Sequence, residues 1–256
     1  MILEFLYFYF LQILPQTVTG ACFTMKSRKM KYRSVLKRGG IPAARDLSTQ
    51  HYLRLLVTVL ISFITTAVFL YPEKFLLGSY PFSYLGARNS PQGIRNIYSR
   101  LVFDLGMLLC GYTMYLLARY YHSRHPVPDS QVYELLCRIS AIGFILMVVP
   151  CDLPEVTFLH SFGSGFVVGS HLFMATIRVV AVSHQIRPAV TMILLTTLIV
   201  SVLLYAMFWF FKLPNHPLMQ KPAFAAIIYV ELYGSSLSRY YGEHAVFRLI
   251  RSGQLH

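Results

Sequence analysis

The chain has 256 residues, of which 55% are hydrophobic and only 13% charged, with a mean hydropathy of +0.53. A soluble domain carries about twice that charged fraction, so the composition excludes a soluble globular enzyme or binding module and points to lipid. The net charge of +13 would suit nucleic acid, but its placement argues otherwise. Lys26, Arg28, Lys29, Lys31, Arg33, Lys37, Arg38 and Arg45 crowd the segment before the first long apolar run. A basic juxtamembrane cluster of this kind is drawn to the anionic headgroups of a cytoplasmic leaflet. The expected partners are therefore membrane lipids and not nucleic acid.

The first residues, MILEFLYFYFLQILPQTVTGACF, are apolar but carry Glu4 and lack the basic start of a secretory signal. Gln12, Pro15, Gln16, Thr17 and Thr19 weaken the stretch as a membrane span. It reads either as an interfacial or extra segment or as an over-extended start with the true beginning at Met25 or Met30, and the second reading is preferred because Met30 would open directly into the basic tail.

Six apolar runs follow, His51–Tyr71, Leu101–Tyr121, Val132–Val149, Val156–Val180, Val190–Phe211 and Ala223–Tyr240. A hydrocarbon core of about 30 Å takes roughly 20 mostly apolar residues in a helix, and these runs lack the two-residue alternation of barrel strands. The predicted fold is all-α, a polytopic membrane protein built as a six-transmembrane-helix bundle. Residues 1–50 form an amino-terminal segment with a basic tail, 51–240 the membrane domain, and 241–256 a short basic tail. No linker divides the spans and no internal repeat is visible, so the inverted-repeat signature of many transporters is missing.

With the amino-terminal cluster placed in the cytoplasm, 17 of the 23 Lys and Arg residues fall on the inner side and six, Lys74, Arg88, Arg95, Arg100, Lys212 and Lys221, on the outer side. That asymmetry satisfies the positive-inside rule and predicts two cytoplasmic termini, in the inner membrane if the organism is bacterial. The longest outer loop, Pro72–Arg100, is rich in aromatics, Gly, Pro and Asn. The second, Pro150–Glu155, is short and acidic, while the inner loops His122–Pro128 and Ser183–Pro188 are short and basic. Span five has no ionisable residue and is expected to face lipid, with Trp209 in the outer aromatic belt. Only Cys151 reaches the outer face, so no disulfide framework is expected there.

Ionisable groups inside spans are costly and mark candidate sites. Asp104 lies four residues after Arg100 on one helical face and reads as a ligand or as a helix-end ion pair. Asp152 and Glu155 sit at the outer mouth between spans three and four. In span four, His160, Ser164, His171 and Arg178 share a face, since separations of 4, 11 and 18 residues return near the same angle. About 1.5 Å of rise per residue sets the two histidines roughly 16 Å apart, too far to share a metal ion. The same helix carries Gly163, Gly165 and Gly169, and GFVVG reads as a small-xxx-small packing pattern. Glu231 lies mid-span in helix six, with Ser235 and Ser238 on its face; a lone carboxyl there either stays protonated, since burial disfavours its charge, or pairs with a polar group on span four, and it reads as a proton relay or as structural glue. There is no Walker loop, dinucleotide fingerprint, paired CxxC, HExxH or GxSxG, and no second span offers the histidines that buried haems would need.

The order of short signatures, FSYLGARNSPQGIRNIYSRLVFDLGMLLCG, then a PCD turn, then a histidine-bearing helix, resembles the six-span family numbered 998 among domains of unknown function. More distantly it is similar to the Frag/DRAM/Sfk membrane proteins. The matching positions are Ser83, Leu85, Gly86, Asn96, Gly106 or Gly111, Pro150, Asp152 and His160, and the likeness covers roughly Pro72–Arg178. It implies a six-span architecture with a polar cluster at the outer face. Its distant relatives imply a role in lipid handling or membrane trafficking.

These features lead to three expectations. The first is a bundle that binds or organises a lipid or amphiphile at an outer-leaflet site lined by Ser83, Asp104, Asp152 and His160. The second is a membrane-embedded hydrolase in which the catalytic candidates Asp152 and His160 either hold a metal, with zinc the candidate ion and His160 its candidate ligand, or activate water on a lipid headgroup. The third is a proton-coupled transporter that uses the intramembrane polar groups His171 and Glu231 as relays.

Overall fold

The computed structural model describes residues 43–123, 130–183, 186–213 and 216–251, and side chains between 49 and 236 apart from His216. The amino-terminal apolar stretch, the basic side chains of the first 48 residues and the side chains of the carboxyl tail lie outside these ranges. The chain forms two units, Met1–Ala44 and Arg45–His256, and the architecture below belongs to the second.

Among the described residues there are six helices: α1 (Ala43–Phe69), α2 (Ile97–His122), α3 (Ser130–Leu146), α4 (Thr157–Val182), α5 (Pro188–Phe210) and α6 (His216–Arg251). The Thr49–Phe69 part of α1 and the whole of α2, α4 and α5 are long and apolar enough to cross a membrane. Helix α3 has 17 residues, about 26 Å at 1.5 Å per residue. Helix α6 has 36 residues and is the more polar, with Gln220, Lys221 and Glu231 along it.

Local chemistry sets the ends. Helix α3 stops at Leu146 in tightening turns, Val148 N–H to Ile145 O at 3.2 Å and Val149 N–H to Leu146 O at 3.2 Å, because Pro150 disfavours helical backbone in the residue before it. Helix α5 opens on Pro188, whose fixed φ suits a first helical position. It closes where Lys212 adopts a left-handed φ of 50° and Leu213 N–H reaches back to Phe208 O at 2.9 Å, a Schellman ending without the usual glycine.

Helix α3 lies between α2 and α4, α6 packs on α4 and α5, and α4 also touches α5. One core joins Leu53, Leu56 and Leu60 of α1 with Phe103, Met107 and Met114 of α2, Phe144 of α3 and Val167 and Met174 of α4. A second joins Ala175 and Val179 of α4 with Leu194, Leu198 and Val202 of α5 and Ile227 and Val230 of α6. Helix α4 belongs to both and is the central element. The outward faces are equally apolar: Leu105, Leu108, Tyr112, Phe162, Met192, Ile193 and Leu203 are all exposed, an exterior suited to lipid and not to water.

The closest helix contact differs from the GFVVG expectation. A Cβ built on Gly163 would lie 2.7 Å from Gly143 O, and one on Gly143 would lie 2.8 Å from Gly163 O, whereas Gly165 and Gly169 have nothing within 4 Å. At about 100° per residue, Gly165 and Gly169 point away from the face that Gly163 and Val167 present to α3. The intimate pair is therefore one glycine from each of two helices.

Candidate functional site

Between α1 and α2 the long loop folds back through a short 3₁₀ turn, Phe82–Gly86. Asn96, 1% exposed, organises it by donating from Nδ2 to Leu85 O at 3.0 Å and Ala87 O at 3.1 Å. Ser99 adds a bond to Leu85 O at 3.3 Å. The SPQG turn closes through Gly93 N–H to Ser90 O at 2.9 Å, and Gly93 takes a φ of 83° that a side chain would resist.

Two neighbours pin this loop. The Asp152 carboxylate accepts the backbone N–H groups of Arg88 and Asn89 at 3.0 and 3.1 Å, and Cys151 donates its thiol to Ser83 O at 3.3 Å. Burial, with the Asp152 charge behind it, pushes the Cys151 thiol up to about 11. From α6, Gln220 Oε1 accepts the Phe82 N–H at 3.0 Å. Lys221 donates to Tyr80 O at 2.7 Å and lies 4.9 Å from the Phe82 ring centroid.

The residues expected to line the outer site thus have separate local partners. Asp104 pairs with Arg100 at 3.4 Å, as the spacing of four suggests. Asp152 is exposed and holds the loop backbone. His160, 4% exposed, donates from Nδ1 to Val149 O at 2.8 Å and so closes the turn between α3 and α4; its Nε2 is buried without a partner. Ser83 offers its carbonyl to Cys151 and lines a cavity. Among the described residues, no hydrogen bond joins any two of these four, and no three His, Cys, Asp or Glu side chains gather as a metal-binding set.

The structure draws attention inward instead. Beneath the loop, a small, mostly apolar cavity of about 20 Å³ is bounded by Leu60, Phe82, Ser83, Phe144, Ser164 and Gln220. A second, of about 30 Å³, reaches from Leu53 and Leu56 to His171 and Glu231. Leu60, Phe144, Val167, Val168 and Phe224 line both, so the two are adjoining lobes of one interhelical crevice.

Its inner end is a buried polar chain. His171 Nδ1 donates to Glu231 Oε2 at 2.7 Å, and Nε2 lies 3.1 Å from Ser140 Oγ. A single ring proton on Nδ1 makes Nε2 the acceptor of the Ser140 hydroxyl; the tautomer follows from the network. The expected tie between Glu231 and span four is formed, and it extends to α3. The order serine, histidine, carboxylate is that of hydrolytic triads, but Ser140 is fully buried and does not line either lobe. Its hydroxyl orients His171 and fastens three helices together. About two turns further along α4, buried Arg178 donates to Tyr121 OH at 3.1 Å and stacks 5.2 Å from the Tyr133 ring centroid.

Ser140, Gln220 and Tyr121 were not legible as site residues. Ser140 carries the only available signal, since it shares the i, i+3, i+4, i+7 face of Cys137, Ala141 and Phe144, all buried. Fold and site together define a class: an all-α protein whose membrane-length helices enclose an apolar crevice with polar groups at each end. Compared with protein-family models, curated proteins and solved structures, the chain matches none.

Proposed function

We propose that this is an integral membrane protein of six transmembrane helices, with both termini cytoplasmic, that admits the apolar chain of a lipid or amphiphile between its helices, which part to receive it. The two adjoining cavities carry the reading: at about 20 and 30 Å³ they are a loose seam between helices, and their walls are mostly Leu, Ile, Val, Phe and Met with Ser83, Ser164, Tyr205, Gln220, His171 and Glu231 among them. An apolar cleft with a few fixed polar groups is the usual form of a site for a greasy ligand. Six spans follow if α3 and α6 join the four apolar helices. Helix α3 is only slightly shorter than the hydrocarbon core, and the polar groups of α6 face α4 and the outer loop, not lipid. In this arrangement the Phe82–Gly86 turn lids the outer lobe. Asp152 and His160 hold the lid and the α3–α4 turn, so they position the site without touching the ligand. The basic amino-terminal segment adds attraction to anionic headgroups.

Purification in mild detergent followed by mass spectrometry of extracted lipids tests the reading. Wild-type protein should retain lipid in near-stoichiometric amount. Val168→Trp, which places an indole where both lobes meet, should lose it while still unfolding cooperatively. Lipid-free wild-type protein, or equal retention by Val168→Trp, would overturn the proposal.

A further inference from the structure

We infer that the ligand is one aliphatic tail of a bilayer lipid and that it enters sideways, through a portal between α1 and α6 latched by the hydrogen bond from Gln50 to Ser236. This rests on the reading above and names its entrance and ligand class. Two apolar stripes face each other across the seam. Leu53, Val57 and Ile64 of α1 line the cavities from one side, and Phe224, Ile228 and Leu232 of α6 line them from the other. Separations of four, seven and eight residues keep each set on one side of its helix. All but Leu53 are only half-buried, so the stripes meet without sealing. From Leu53 to Ile64 the seam runs about 16 Å along α1, lengthwise and narrow, which suits a linear tail and not a bulky body. Leaving the bilayer for the seam exchanges one apolar surrounding for another, so the gain lies in the contacts that a tail supplies by filling the voids.

Helix α1 is the wall that can move. The other five helices approach one another closely along their backbones, whereas α1 meets them through side chains. Its fastening is one-sided. Toward α2, Phe63 occupies the space left by Gly106, where a Cβ would lie 2.5 Å from the Phe63 Cβ, and the Tyr52 and Tyr120 ring centroids are 6.1 Å apart. Toward α6, Gln50 donates from Nε2 to Ser236 Oγ at 2.8 Å, among the described residues the one hydrogen bond between these two helices. At the other end of the seam, α6 is tied to the long loop and not to α1, through Gln220 to Phe82 and Lys221 to Tyr80. Between those ties only apolar contact joins α1 to α6. Swinging α1 about its α2 contacts therefore opens the seam at the expense of one hydrogen bond, a weak tie in net terms.

Photolabelling reads the route. Full-length protein in nanodiscs is loaded with a phosphatidylcholine that carries a mid-chain diazirine, moved to mild detergent to remove loosely held lipid, and irradiated. Mass spectrometry should then place adducts on the α1–α6 stripes, at Val57 and Ile228 among others. Adducts confined to α5 or to the outer faces of α2 and α3 would overturn the portal and leave the lipid reading standing. Failure to retain any probe would sink that reading and the portal with it. The latch is tested by rate: Ser236→Ala and Gln50→Ala should each speed uptake of the probe about fivefold, the loss of one hydrogen bond written as a rate ratio. Unchanged uptake would overturn the latch. If Gln50→Ala does not fold, Ser236→Ala, which installs the better helix former, decides alone.

Discussion

Asp152 shows how a residue that reads as a ligand can serve the backbone. Its carboxylate caps two adjacent loop amides and raises the thiol beside it. Replacing it by Ala should cost about 1 kcal/mol, the usual scale for such bonds near solvent. The Arg88 and Asn89 amides should then exchange hydrogen markedly faster by mass spectrometry, with α2 and α4 unchanged. Unchanged exchange at those two amides would remove the loop-holding role. Cys151 gives the pH counterpart. Its thiol stands at about 11 against an ordinary value of 9.0, so the folded state prefers the protonated form. The associated stability is complete below pH 9 and is lost as pH climbs through 11. Thiolate is the reactive species, so with Cys22, the cysteine of the amino-terminal segment, changed to Ser, the alkylation rate of Cys151 at pH 7.5 should be roughly a hundredfold below that of an ordinary thiol. It should rise with pH beyond 9, and Asp152→Asn should speed it.

Between elements, the α3–α4 seam depends on two glycines whose carbonyls face each other's Cα. Gly143→Val or Gly163→Val should each destabilise by about 1–3 kcal/mol through overpacking, read as a lowered melting temperature in detergent. Gly165→Ala and Gly169→Ala should be neutral or slightly stabilising, because open space surrounds both and Ala is the better helix former. Equal losses at all four positions would contradict the seam. The same seam brings α3 close enough to α4 for Ser140 to reach His171, so backbone proximity and the buried polar chain belong to one arrangement.

For the whole molecule, the threading of the helices governs which side each loop occupies. Under the proposed six-span arrangement, a membrane-impermeant maleimide applied to intact cells at pH 9 should label Cys151 from outside. A cysteine placed at Arg187 should react only after permeabilisation. Labelling of both before permeabilisation would break the proposed order of spans.

Composition and residue spacing alone determined the helical class, the apolar runs, the Arg100–Asp104 pair and the shared face of His160, His171 and Arg178. These are properties of a single helix and its period, or of how much greasy surface a chain carries. Glu231 was recognisable as needing a polar partner, because a carboxyl inside an apolar helix is expensive alone. Tertiary structure decided the identity of that partner, its extension to Ser140, the Gly143–Gly163 contact and the crevice beneath Phe82 and Ser83. Each depends on the rotation and depth of one helix against another, which many side-chain contacts set jointly and no single stretch of sequence encodes.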